Sequence, residues 1–102
     1  MTSGGRNILE SDTTVEVEKN FILENKEGLH VRPATLFVQA ANEFEAKVEV
    51  VKDGVVVDGK SIFEILSLAA GCGTSLTVRC SGNQAEEAMS RMESLFASHF
   101  EL

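Results

Sequence analysis

AKVEVVKDGVVVD, residues 46–58, reads as two strands and the turn between them. Ala46, Val48 and Val50 alternate with Lys47, Glu49 and Val51, the period-two pattern of a strand with one face on a core. Asp53-Gly54 then separates two valine-rich runs, and both residue types tolerate the positive φ that a two-residue hairpin turn demands. Val55 to Asp58 is therefore expected to return antiparallel. A tight hairpin in a chain that also carries helices points to an α+β domain built on an antiparallel sheet.

Upstream, Val15, Val17, Phe21 and Leu23 share one strand face, with Glu16, Glu18, Asn20 and Glu24 on the other; Lys19 and Ile22 break the alternation. Asn25 to Gly28 reads as a loop. A helix follows, with Ala34, Phe37, Val38 and Ala41 as its core stripe. Pro33 fits its first turn, whose amides have no acceptor within the helix, so His30 falls at or beside the N-cap. Phe44 is expected to close the helix end. Downstream, Ser61 to Ala69 is a short helix ended near Gly71, and Leu76, Val78 and Cys80 mark a last strand. Ala85, Ala88, Met89, Met92, Leu95 and Phe96 then form a long amphipathic helix, with Asn83 as cap and Glu86 placed as in a capping box. The order is β-α-β-β-α-β-α, with the helices on one face of the sheet. Residues 1–14, polar apart from Ile8 and Leu9, are expected to be a flexible leader to a domain spanning 15–102.

With 102 residues, one domain is the expectation. The net charge of −7 argues against nucleic acid or an anionic membrane as partner, since both reward a basic surface. No stretch has the run of apolar residues that a membrane span needs. Residues 1–14 contain no apolar signal region, and Cys72 and Cys80 make no disulfide framework, so a cytoplasmic setting with free thiols is expected. Cys72, Cys80, His30 and His99 lack the spacing of a metal site.

His30 is the most informative position. A helix N-terminus offers free N–H groups and partial positive charge, which attract anions. Arg32 adds a planar cation suited to phosphate oxygens. The junction is chemically suited to hold a phosphoryl group on a ring nitrogen, whereas the bland alternative makes His30 a polar cap and nothing more.

GLHVRPA, residues 28–34, closely resembles the active-centre signature of the HPr family, the histidine phosphocarriers of the bacterial phosphotransferase system. GKSIFEILSL, residues 59–68, resembles the family's second signature, in the right order and at the right separation. The resemblance covers about Val15 to the C-terminus and includes the element order. It implies an open-faced two-layer sandwich, a four-stranded antiparallel sheet with three helices on one face. It further implies that phospho-enzyme I donates a phosphoryl group to Nδ1 of His30, that Arg32 stabilises it, and that an enzyme IIA-type protein receives it. No cofactor is implied, and the carrier is expected to be monomeric rather than an enzyme with turnover of its own.

Ser61 opens Ser61-Ile62-Phe63-Glu64, a capping box, and is expected to cap the short helix. The resemblance adds regulation, because many relatives are phosphorylated at this serine by an HPr kinase/phosphorylase. Between positions 62 and 69 only Glu64 and Ser67 are polar, more apolar surface than a short surface helix can bury. The family docks its partners on the equivalents of Thr35, Ile62, Phe63 and Leu66. Departures from the family pattern are Val31, bulkier than usual and expected to crowd the phosphoryl group slightly, Glu27, expected to face water, and Glu64 in the docking helix. The end of the chain, Leu95 to Phe100, looks somewhat like that of nitrogen-related carriers, while residues 59–62 leave sugar-uptake and nitrogen-related branches both open. Cys80 reads as core, Cys72 as exposed, and His99 as a surface residue near a helix C-terminus, where positive charge is favoured. A different class remains: a regulatory binding module that uses the Ile62, Phe63 and Leu66 patch and leaves His30 idle.

Overall fold

The computed structural model describes residues 15–101; the expected leader, residues 1–14, lies outside the described residues. Seven elements follow in order: β1 (Glu16–Ile22), α1 (Val31–Ala41), β2 (Lys47–Lys52), β3 (Val55–Asp58), α2 (Ile62–Ser67), β4 (Ser75–Ser81) and α3 (Ala85–Ala97). The four strands make one antiparallel sheet in the order β1-β4-β2-β3. The hairpin forms where expected. Lys52 pairs with Val55, and Asp53 and Gly54 have φ of 50° and 80°, positive at both turn residues.

Register sorts the two faces. Opposite one another on the inner face lie Val17 and Cys80, Phe21 and Leu76, Val48 and Cys80, Val50 and Val78, and Val50 and Val57. The helices cover this face, and Phe37, Ile65, Met89, Met92 and Leu95 complete the core. The outer face is polar: Arg79 on β4 lies opposite Glu18 and Glu49, with its Nε 3.0 Å from Glu18. Thr77 donates to Asn20 on the same face at 2.6 Å. One apolar and one polar face make this an open-faced sandwich.

Both breaks in the β1 pattern have physical reasons. Lys19 shares the inner face with Val17 and Phe21 but lies at an edge strand, where it pairs with Glu93 of α3. Ile22 lies on the outer face, 52% exposed. Val15, assigned to the inner face, is instead largely exposed just before the strand begins.

Four expectations about helix ends and stripes are corrected. In α1, Ala40 joins the buried stripe of Pro33, Ala34, Phe37 and Ala41, while Val38 is half-buried against the core. Asn42, not Phe44, closes that helix, its side chain donating to the Val38 carbonyl at 2.9 Å. In α2 the last amides tighten to i→i−3 bonds, Leu68 N to Ile65 O and Ala69 N to Leu66 O, and Ala69 turns left-handed at φ 49°. The helix therefore stops before Ala69 and Gly71, and Lys52 Nζ satisfies the freed Leu68 carbonyl. In α3 the cap position is Gln84 at φ 68°, one residue on from Asn83, whose side-chain amide donates to Glu45 at 2.7 Å.

Candidate functional site

The loop before α1 is tied to its surroundings at several points. Leu23 N donates to Thr74 O, and Gly73 N donates back to Leu23 O. Asn25 to Gly28 closes a turn through Gly28 N to Asn25 O at 2.9 Å, reinforced by the Asn25 side-chain amide on the Gly28 carbonyl. Leu29 is buried and donates its N–H to Ala70 O at 2.8 Å. The chain then delivers His30 to the start of α1.

His30 is the N-cap of α1, with extended backbone, and its ring makes no capping hydrogen bond. Its carbonyl accepts from Ala34 N at 2.9 Å, so the helix starts on its backbone while the imidazole stays out in solvent, 44% exposed. Val31 and Arg32 occupy the first two helical positions, where amides have no acceptor within the helix. Buried Pro33 brings no donor at the third. The first turn holds no acidic residue, and Arg32 is exposed, with no carboxylate paired to it among the described residues. Two free amides and the positive end of a helix dipole thus lie at one open imidazole, with the Arg32 side chain exposed on the same first turn, an arrangement suited to a small anion on the ring.

Val31 is 64% exposed at the same helix end. Glu27 is also exposed, yet its Oε1 lies 3.6 Å from His30 Nε2. That carboxylate faces water as expected, 75% exposed, but its approach to the ring was not foreseen; the signal was its i,i+3 spacing from His30 across a turn containing Gly28 at φ 71°.

Ser61 caps α2 as expected, its Oγ accepting from Glu64 N at 3.4 Å. Only half of the capping box forms. Glu64 Oε1 accepts from Asp58 N at 2.8 Å, while Ser61 N bonds to Asp58 O. Within α2, Ile65 is buried, Ile62 and Leu66 are half-buried against the core, and Phe63 is 82% exposed. Thr35 is half-buried on α1, which packs against α2. Exposed Val31, missed as an apolar contributor, adds to the apolar surface of the α1 end that carries His30.

Cys80 is buried and Cys72 exposed, both as free thiols. His99 approaches Glu24 at 3.0 Å at the far end of α3. A hollow of about 440 Å³ between β1 and α3 is lined by Phe21, Ile22, Glu93 and Phe96 among others and does not include His30. Among the described residues no helix is long and apolar enough to cross a membrane, and no three His, Cys, Asp or Glu side chains cluster as metal ligands.

A family model described as the PTS HPr component phosphorylation site matches residues 17–98. Phosphocarrier protein HPr of Treponema pallidum is 41% identical over 85 residues, 83% of this chain and 97% of that protein. The HPr-like protein Crh of Halalkalibacterium halodurans is 47% identical over 73 residues, 72% of this chain and 87% of that protein. Among solved structures, HPr-C-His from Thermoanaerobacter tengcongensis matches with a TM-score of 0.80 at 40% identity, over 84% of this chain and 99% of that one.

Proposed function

The chain belongs to the HPr family of phosphotransferase-system phosphocarriers, and from that premise we propose that His30 is the residue that carries its phosphoryl group. The observation that carries the reading is the N-cap imidazole, uncommitted to capping and set beside the free Val31 and Arg32 amides. Phospho-enzyme I, charged from phosphoenolpyruvate, is the donor. The Nδ1 lone pair of His30 attacks phosphorus, the donor's phosphorus–nitrogen bond breaks, and the phosphoryl oxygens settle toward the two amides and Arg32. An enzyme IIA-type protein then takes the group by the reverse chemistry, and His30 is restored. Binding must be loose enough for release, which an imidazole on open surface favours.

Thr35, Ile62, Phe63 and Leu66 form the docking surface in this reading, and donor and acceptor use it in turn. One copy of the chain suffices for the relay, so it acts as a monomer in the cytoplasm. Phosphorylation of Ser61 by an HPr kinase/phosphorylase would place a dianion beside this surface and alter docking. The same surface supports the second reading, a regulatory module that binds through exposed Phe63 without transferring phosphate. Pairing of His30 with Arg32 favours the carrier, because binding alone requires neither.

The test is incubation with phosphoenolpyruvate and purified enzyme I, comparing wild type with His30→Ala by intact mass and acid lability. One acid-labile phosphoryl group, absent from the variant, is the expected result. A folded protein that accepts none from sugar-branch or nitrogen-branch enzyme I would leave the binding-module reading in its place.

A further inference from the structure

We propose that Glu27 is a positioning residue for His30, holding the ring proton on Nε2 and so leaving Nδ1 as the nucleophile. Glu27 Oε1 lies 3.6 Å from Nε2, and no other carboxylate pairs with this ring among the described residues. A carboxylate beside one imidazole nitrogen favours the tautomer that carries the proton there, which fixes the other nitrogen as the one with the free lone pair. No capping bond fixes the ring in either tautomer, so the choice is left to its charged neighbour.

The consequence for transfer rests on the carrier reading above. Attack by Nδ1 of a neutral ring forms the nitrogen–phosphorus bond while Nε2 keeps its proton, so the ring becomes a phosphorylated imidazolium with one positive charge. Glu27 faces that charge directly. On discharge the nitrogen–phosphorus bond breaks and the electron pair returns to Nδ1. The ring leaves as neutral imidazole, so no proton has to move in either direction. The charge that Glu27 faces exists only while the ring is phosphorylated, so removing Glu27 destabilises the loaded imidazolium relative to the discharged ring. Glu27 thus steadies the loaded form and lengthens its life. Both side chains are substantially exposed, 44% for His30 and 75% for Glu27. The effect is therefore that of a surface ion pair, about two- to fivefold.

Two measurements test this. Ring ¹⁵N shifts of His30 in unphosphorylated protein, at about pH 8.5 where imidazole is neutral, report the tautomer ratio whatever the fate of the carrier reading. Glu27→Gln should lower the ratio of Nε2–H to Nδ1–H by about two- to fivefold, and Glu27→Lys should lower it further. Equal ratios in wild type and Glu27→Gln would overturn the proposal. The second measurement is loss of phosphate from the isolated phosphoprotein, a unimolecular step free of docking effects. Glu27→Gln should speed it by about two- to fivefold, and the difference should shrink at about 1 M salt, where the Debye length is only about 3 Å. Identical lifetimes would overturn the role in transfer. If His30 accepts no phosphoryl group at all, the carrier reading fails, while the tautomer measurement still decides whether Glu27 orients the ring.

Discussion

Gly28 and Ala70 meet backbone to backbone: a Cβ on Gly28 would lie 2.5 Å from the Ala70 carbonyl oxygen and 2.8 Å from Gly71 Cα. The same oxygen accepts the Leu29 N–H at 2.8 Å. The segment that presents His30 is thereby seated on the exit of α2, which couples the two motif-bearing stretches of the chain. Gly28→Ala should cost about 2–4 kcal/mol, adding left-handed strain at φ 71° to a clash with backbone that cannot rotate away. Urea denaturation should show the loss as a lower midpoint at unchanged slope. Phosphoryl uptake should fall even in conditions where the variant stays folded, because relief of the clash moves His30.

Phe96 ties two elements and the turn after α3 to that helix. It stacks on Phe21 of β1 at 4.3 Å and meets Phe37 of α1 and Phe100 edge-on at 6.4 and 5.0 Å. Phe96→Ala should destabilise by about 3–5 kcal/mol, as deletions of buried aromatics do. Thermal unfolding followed by far-UV circular dichroism checks the figure. A cost below about 1 kcal/mol would mean that the cluster does not anchor α3, since ordinary surface changes reach only about half that.

Much of this architecture was legible because one period or one residue pair decided it. The Asp53-Gly54 turn and the inward set Val48, Val50, Leu76, Val78 and Cys80 all stand where alternation put them. The buried positions of α3 also match their spacing. What failed were contests between nearby residues of similar propensity. Asn83 is the better N-cap by type, but Glu45, distant in sequence, engages its side chain, and the helix starts on Gln84 instead. Glu64 had the spacing of a reciprocal capping box, yet its carboxylate serves Asp58 N. His30 at an N-cap was readable from Pro33 and the stripe that follows. The Glu27 contact was not, because it depends on the path of a turn and not on any periodic face.

The two cysteines should differ in chemistry. Burial pushes the Cys80 thiol from 9.0 up to about 11. Above about pH 9 the unfolded chain therefore gives up a proton that the folded chain keeps, and stability falls as pH rises toward the folded value. Below the unfolded value this contribution is fully present. The loss across the window should be on the order of 1–3 kcal/mol. Urea midpoints at about pH 8 and about pH 10.5 in wild type and Cys80→Ala separate it from lysine titration, which both proteins share. Equal declines in the two would show that burial of this thiol does not set the alkaline limit. At about pH 8 iodoacetamide should label Cys72 alone in the native state, because only the exposed thiol is open to the reagent.

Phe63 offers the cleanest probe of the proposed docking surface, because Ile62 and Leu66 also pack against the core and Phe63 does not share that burden. At 82% exposure its replacement by alanine should change stability by no more than about 0.5 kcal/mol. An exposed aromatic that seats in a partner's pocket commonly costs about 1–2 kcal/mol when truncated, which corresponds to about tenfold in affinity. Phe63→Ala should therefore raise KM for the phosphoryl donor about tenfold while leaving kcat nearly unchanged, since the His30 site itself is untouched. Ser61→Asp should act in the same direction by placing a charge at the start of the same helix, and combining it with Phe63→Ala should give less than the sum if both act on one docking surface. Full additivity would mean that the charge and the aromatic act on donor binding independently, and an unchanged KM in Phe63→Ala would move the docking surface away from α2 and toward the exposed Val31 end of α1.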